Sequence, residues 1–184
     1  MAISSTIYKA ELQITDMDRN YYSDHHLVIA RHPSESDERM MVRLLAFALH
    51  GSESLQFCKG ISTDDEPDIW QKSLSNEIEI WIDLGQPDAK RIRKACGRSR
   101  QVIIYTYLRS HRVWWEQAQN KLTRFGNLSV IHLDSDAVAG LGVMAARAMR
   151  LQCTIQDGSL WLTGGDQALE ITPDIWKENS ESRQ

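Results

Sequence analysis

Two aspartates, Asp68 and Asp83, are the side chains of this sequence whose positions most favour chemistry. Asp83 lies near the end of a predicted strand, Glu77 to Gly85, in which apolar residues occupy every second position. Because side chains alternate between the two faces of a strand, one face is apolar and the other carries the Asp83 carboxylate near its tip. Carboxylate oxygens are the ligands that Mg²⁺ prefers, and bound Mg²⁺ activates water for phosphodiester hydrolysis. The pattern therefore favours a site for Mg²⁺, or for Mn²⁺ in its place.

A basic helix, predicted from Pro87 to Arg100, follows this strand with Pro87 at its first position. Hydrolysis also needs a cationic side chain that stabilises the developing negative charge. If Ile92 lies at the centre of the buried face, Arg91 and Arg93 flank it. Arg91 is the nearer of the two to the strand tip in sequence, so we expect it to reach the acidic site. Lys90 and Lys94 are expected to point away from the core.

The order Pro67-Asp68, strand, Asp83 resembles the outline of the PD-(D/E)XK nuclease superfamily. In that superfamily the strand usually ends Asp/Glu-x-Lys, whereas this sequence has Gly85 in the lysine position. Because the lysine moves to the following helix in some members, the resemblance adds Lys94 to Arg91 as a candidate.

Glu38 is the third candidate ligand. It lies in the first turn of a helix predicted to begin at Ser34 and to end at Gly51. A carboxylate there is either a partner of the helix dipole or a ligand aimed inward. The superfamily resemblance implies the second role, because the first core helix of these enzymes often adds a glutamate to the metal site. The candidate metal ligands are then Glu38, Asp68 and Asp83.

A purely structural alternative stays open, in which Asp83 caps a sheet edge and the basic run is a solvated helix face. Other chemistries have little support: the sequence has no glycine-rich phosphate loop, so no nucleotide cofactor is expected, and no His/Cys spacing suits zinc. The helix from Lys90 to Arg100 suggests a nucleic-acid partner, and a protein partner is the alternative.

The periodicity predicts a mixed α/β fold, with a central mixed sheet flanked by helices, an N-terminal β-hairpin and a C-terminal β-meander. We expect one domain over residues 1–177 and a frayed polar tail over residues 178–184. The hairpin is predicted over Thr6–Thr15 and Tyr21–Ala30. After the first helix, we expect strands at Leu55–Ile61, Glu77–Gly85, Gln101–Tyr107 (the central strand) and Asn127–Leu133, with a strand or helical turn at Asp68–Ser73. Two further helices are predicted at Arg109–Phe125 and Ser135–Met149, and the meander at Leu151–Ile155, Leu160–Thr163 and Ala168–Ile171.

Composition limits the functional classes. The 184 residues carry a formal net charge of -4, which gives no general attraction to nucleic acid, so any such binding must be local. Three widely spaced cysteines favour reduced thiols and a cytoplasmic location. No signal peptide is expected, and no apolar run is long enough to span a membrane.

Several segments along the chain together match one known family: Thr6–Ala10, Ala30–Glu35, Glu38–Met41, Asp64–Pro67, Trp81–Gly85 with Pro87, Lys94-Ala95, Asn127–Val130, Leu151-Gln152 and Thr154–Gly158. Through them nearly the full length of the chain resembles the YaeQ family of bacterial proteins. The resemblance implies a variant PD-(D/E)XK fold, and two functions are open: metal-dependent phosphodiester hydrolysis at the acidic cluster, or an interaction module that kept the fold and lost the reaction.

Overall fold

The computed structural model describes residues 4–59 and 64–181. The chain divides into two compact units, each built from two separate stretches of sequence. Unit 1 comprises the residues up to Gly51 together with Asp136–Pro173, and unit 2 comprises Ser52–Ser135 together with the residues from Asp174 onward. In chain order the elements are β1 (Thr6–Asp16), β2 (Tyr21–Arg31), α1 (Asp37–His50), β3 (Leu55–Phe57), β4 (Ile69–Lys72), β5 (Ile78–Leu84), α2 (Ala89–Arg98), β6 (Ser99–Thr106), α3 (His111–Leu122), β7 (Leu128–His132), α4 (Ser135–Val143), β8 (Ala148–Gln156), β9 (Ser159–Gly164), β10 (Gln167–Ile171) and β11 (Asp174–Lys177).

Unit 1 contains a five-stranded sheet in the order β10-β9-β8-β1-β2. The predicted hairpin is confirmed, since β1 and β2 pair antiparallel from Thr6 opposite Arg31 to Asp16 opposite Tyr21. The C-terminal meander of β8, β9 and β10 joins it through a parallel pairing of β1 with β8. Alternate residues of β1 are buried, as the period of two predicts.

Helix α1 carries the predicted apolar stripe, whose members Met40, Met41, Leu44, Leu45 and Ala48 are all buried. Its cap differs from the prediction. Ser36 is the N-cap and its hydroxyl accepts a hydrogen bond from the Arg39 N–H at 3.1 Å, whereas the Ser34 hydroxyl contacts the His32 ring. Both serines precede acidic residues, so the sequence alone does not separate them.

Unit 2 contains a six-stranded sheet in the order β11-β7-β6-β5-β4-β3. Strands β5, β6 and β7 are parallel, whereas β3, β4 and β11 are antiparallel to their neighbours. The central position predicted for β6 is confirmed, and its residues from Val102 to Thr106 are buried. The mixed α/β class with hairpin and meander is confirmed, although these two motifs form a sheet of their own.

Helices α2 and α3 pack on one face of the unit 2 sheet. The core there joins Ile92 and Ala95 of α2 to Trp81 of β5, with Leu122 at the end of α3. Val102, Ile104, Leu128 and Val130 complete this cluster from the neighbouring strands. The core therefore fixes which residues of α2 face the sheet, and by exclusion which of its basic residues reach solvent.

Several predicted boundaries were wrong. Helix α2 begins at Ala89, because the Asp88 carboxylate caps it by accepting the Arg91 N–H at 2.7 Å, so Pro87 precedes the helix. Helix α4 ends at Val143 rather than at Met149, because Ala148 already pairs with Lys9 in the sheet. Strand β11 was missed altogether.

Some predictions lie partly outside the described residues. The strand predicted over Leu55–Ile61 is observed only as β3, Leu55–Phe57, and its last two residues, 60 and 61, are not described. The predicted tail, residues 178–184, is ordered at least up to Glu181, the last residue that the structure describes. Asn179 is buried and its N–H donates to the Ser129 hydroxyl at 3.2 Å, while the Ser180 N–H donates to the Gly126 carbonyl. In the described ranges, every helix is too short or too polar to cross a bilayer.

Candidate functional site

Asp68 and Asp83 lie together at the paired ends of β4 and β5. Ile69 is opposite Ile82 in this antiparallel pair, so Asp68, one residue earlier, is across from Asp83, one residue later. The Asp68 N–H donates to the Ile82 carbonyl at 3.0 Å, and an oxygen of the Asp68 carboxylate accepts the Leu84 N–H at 2.9 Å. Both aspartates are buried, at 4% and 2% exposure. The register thus places two carboxylates at one tip of the sheet.

Arg91 of α2 holds the Asp83 carboxylate in a two-point ion pair. Its Nε donates to Oδ2 at 2.8 Å and its Nη2 to Oδ1 at 2.9 Å. The Trp81 indole N–H donates to the same Oδ2 at 3.0 Å. This pairing with Asp83 raises the pKa of Arg91 above its usual range, so the guanidinium stays charged. The predicted contact between Arg91 and the acidic site is confirmed, and it compensates the charge of a carboxylate that is almost wholly buried.

Arg91, Lys94 and Arg98 form one flank of α2, which we call the acid-paired flank. These three cations bind the acidic segment 64–66 through hydrogen bonds and an ion pair. Arg91 donates to the Glu66 carbonyl at 2.8 Å, Lys94 pairs with the Asp65 carboxylate, and Arg98 donates to the Asp65 carbonyl at 3.2 Å. The Lys94 ammonium lowers the pKa of Asp65. Lys94 therefore contacts Asp65, while Arg91 holds Asp83.

Gly85 explains why no lysine follows Asp83 on the strand. Its φ is +93°, a conformation that is strained for any residue with a Cβ, and its N–H donates to the Tyr105 carbonyl at 2.8 Å. The turn that leaves β5 requires glycine at this point. A lysine in the Asp-x-Lys arrangement would therefore impose backbone strain here.

The carboxylates of Asp68 and Asp83 already accept hydrogen bonds from protein groups. In residues 4–59 and 64–181, no three His, Cys, Asp or Glu side chains form a group that could hold a metal ion. Both Asp83 oxygens accept hydrogen bonds from Arg91, and Mg²⁺ would have to displace that guanidinium. Glu38 belongs to unit 1, where it is exposed in the first turn of α1 and its side chain lies against Gly142. The ion implied by the superfamily resemblance does not fit this donor set.

Cys58 lies beside the acidic pair, and its N–H donates to the Asp68 carbonyl at 3.0 Å. Burial, together with the negative charges of Glu66 and Asp68, raises the pKa of its thiol to about 12. The thiolate is the form that attacks substrates and binds metals. Cys58 is therefore neutral at physiological pH and adds no nucleophile to this site.

A second buried ion pair, in unit 1, was missed by the sequence analysis. Glu35 and Arg43 are 3% and 2% exposed, and the Arg43 Nε and Nη2 donate to the two Glu35 oxygens at 2.8 and 2.7 Å. Arg39 also donates to Glu35, and Arg31 donates to its carbonyl. The available signal was the spacing of Arg39 and Arg43, which share one face of α1 four and eight residues after Glu35.

Comparison with known proteins agrees with this architecture. The model of the family described as "YaeQ protein" matches residues 1–173. The "Uncharacterized protein YaeQ" of Escherichia coli (strain K12) is 45% identical over 181 residues, which is 98% of this chain and 100% of that protein. The Salmonella typhi protein of the same description is 46% identical with the same coverage.

Solved structures extend the match to three dimensions. The crystal structure of YaeQ protein from Xanthomonas axonopodis pv. citri has a TM-score of 0.92 and 46% identity, covering 95% of this chain and 99% of that one. YaeQ protein from Pseudomonas syringae also has a TM-score of 0.92, with 34% identity, 96% of this chain and 98% of that one. The fold is thus that of a mixed α/β protein with two sheets. The chain belongs to the YaeQ family.

Proposed function

We propose that this YaeQ family member is an interaction protein whose acidic strand tip is closed by an arginine and does not hydrolyse phosphodiesters. The observation that carries the proposal is the two-point pairing of Arg91 with Asp83. In a metal-dependent nuclease, the corresponding carboxylate oxygens would face the ion. Here a guanidinium, which stays protonated and is a poor proton shuttle, occupies that position.

Metal-dependent phosphodiester hydrolysis is the second candidate. The register that sets Asp68 across from Asp83 favours it, because two carboxylates at one strand tip are the start of a Mg²⁺ site. In this candidate Glu38 completes the ligands, and Arg91 or Lys94 stabilises charge on the phosphate. Its cost is the release of Arg91, which would leave two buried carboxylates without that counter-charge.

Calorimetric titration with Mg²⁺ and with Mn²⁺ distinguishes the interaction protein from the metal-dependent enzyme. We expect no saturable binding by the intact chain. Asp83→Ala is the variant that would remove a true ligand, and Asp65→Ala is its matched control, because Asp65 is an exposed acid that pairs with Lys94 on the same helix. Saturable binding that Asp83→Ala abolishes and Asp65→Ala leaves intact would refute the proposal and favour the hydrolytic candidate.

A further inference from the structure

The basic residues of α2 divide between two flanks that differ in their partners. The acid-paired flank contacts Asp83 and the segment 64–66. Lys90 and Arg93 lie on the other flank, one helical turn apart and exposed. We call this the groove flank, because it borders a groove between α2 and the end of α3.

The α2–α3 groove has a volume of about 450 Å³ and is lined by cations from both sides. Lys90 and Arg93 face it from α2, and Lys121 and Arg124 face it from the end of α3 and the residues after it. The rest of the lining comes from Ala89, Asn120 and Phe125, so the lining contains no carboxylate. Such a groove concentrates positive charge on a chain whose formal net charge is -4.

The four cations have no carboxylate partner among the described residues. None of them forms a salt bridge within residues 4–59 and 64–181, in contrast to Arg91, Lys94 and Arg100, which all do. Four like charges around one groove repel each other, and an anionic ligand removes that repulsion. The groove therefore lacks the counter-charge that the other flank of the same helix already has.

We propose that the α2–α3 groove binds the phosphodiester backbone of a nucleic-acid strand. The nucleic-acid proposal rests on the proposed interaction function, because it names the partner with which the protein interacts. The guanidinium groups of Arg93 and Arg124 match phosphate oxygens in a two-point geometry, and the Asn120 amide is a neutral donor beside them. A polyanion with regularly spaced charges can engage all four cations, as a single small anion cannot.

Phe125 favours a nucleic acid over an acidic peptide. Its ring is half-buried on the unit 2 core, and the Arg124 guanidinium lies 4.9 Å from the ring centroid. An aromatic ring beside cationic side chains is the arrangement on which bases stack in single-strand-binding proteins. An acidic peptide would use the charges but gain nothing specific from the ring.

Fluorescence anisotropy with a labelled single-stranded oligonucleotide and its duplex, at about 0.1 M salt, tests the proposal. Lys90→Gln with Arg93→Gln removes two groove cations without lowering helix propensity appreciably. At this salt concentration we expect binding to weaken by about tenfold for each phosphate that is no longer neutralised, so by roughly 100-fold for the pair. Lys121→Gln with Arg124→Gln should have a similar effect from the other side of the groove.

Arg98→Gln with Arg100→Gln is the matched control. It also removes two cations from the same part of the chain, but these already contact the Asp65 carbonyl and the Glu77 carboxylate. Circular dichroism establishes that each variant is folded. Equal weakening by the control and the groove variants would show only a net-charge effect and would overturn the proposal. So would no binding of either oligonucleotide, or tighter binding of a polyglutamate peptide than of the oligonucleotides.

Mononucleotide and inorganic phosphate serve as competitors. If either competitor displaces the oligonucleotide when both are present at the same concentration, the groove recognises a single phosphate group and the proposed strand binding is wrong. The metal titration gives a separate result. Metal binding at Asp83 would end the proposed interaction function, whereas failure of oligonucleotide binding would leave that function standing and remove only this partner.

Discussion

The two flanks of helix α2 share one short sequence but have different surroundings. On one flank Arg91 and Lys94 pair with Asp83 and Asp65, and on the other Lys90 and Arg93 border a groove without acids. A basic run in sequence is therefore not a uniform surface. A cation beside a buried carboxylate stabilises the fold, whereas one without a partner is available to a ligand.

Arg91→Met gives the largest effect that this comparison predicts. Loss of the guanidinium leaves the Asp83 carboxylate, which is 2% exposed, without its counter-charge, and we expect the free energy of unfolding to fall by about 3 kcal/mol. Arg93→Met is the matched control on the groove flank and should change it by no more than about 0.5 kcal/mol. Urea unfolding at pH 7 measures both. Similar losses of stability for the two variants would show that the two flanks of α2 do not differ in this way.

Gly85→Ala gives a smaller effect and tests why residue 85 is a glycine and not the lysine of the superfamily pattern. An alanine at a φ of +93° is strained, so we expect a loss of about 1–2 kcal/mol. Gly97→Ala is the control: Gly97 lies inside α2 with no atom within 4 Å of an added Cβ, and helix propensity predicts a gain of about 0.5–1 kcal/mol. Thermal or urea unfolding shows whether each variant loses or gains stability. If Gly85→Ala leaves the stability unchanged, backbone strain does not explain the absence of a lysine at this position.

The strand-tip chemistry was largely predictable from sequence. Period two placed Asp83 on the same face of β5 as Trp81, although that face is buried against α2 and is not polar. The position of Arg91 beside Ile92 on the helix predicted its contact with the acidic site. The metal ligands stay a prediction, and the third of them, Glu38, comes from the superfamily resemblance. Whether carboxylate oxygens are free for an ion depends on hydrogen bonds that no spacing reveals.

The buried Glu35–Arg43 pair and the groove show the limits of periodicity. Arg43 lies within an apolar helical stripe, where a charge is expected to be excluded, and it is accepted because Glu35 and the Ala30 carbonyl both accept hydrogen bonds from it. The groove depends on Lys121 and Arg124, which follow Lys90 and Arg93 by 31 residues each and come beside α2 only through packing. Long-range pairing of this kind leaves no local pattern in the sequence.

The salt dependence of oligonucleotide binding tests the division of α2 most directly. The measurement is the slope of log K against log salt concentration for the intact protein, for Lys90→Gln/Arg93→Gln and for Arg98→Gln/Arg100→Gln. Each phosphate that is no longer neutralised lowers the magnitude of the slope by about 0.7 to 0.9, so the groove variant should lose about 1.4 to 1.8 and the control should keep the slope of the intact protein. A control whose slope falls as much as that of the groove variant would show that the groove cations do not bind phosphates differently from the other cations of this region.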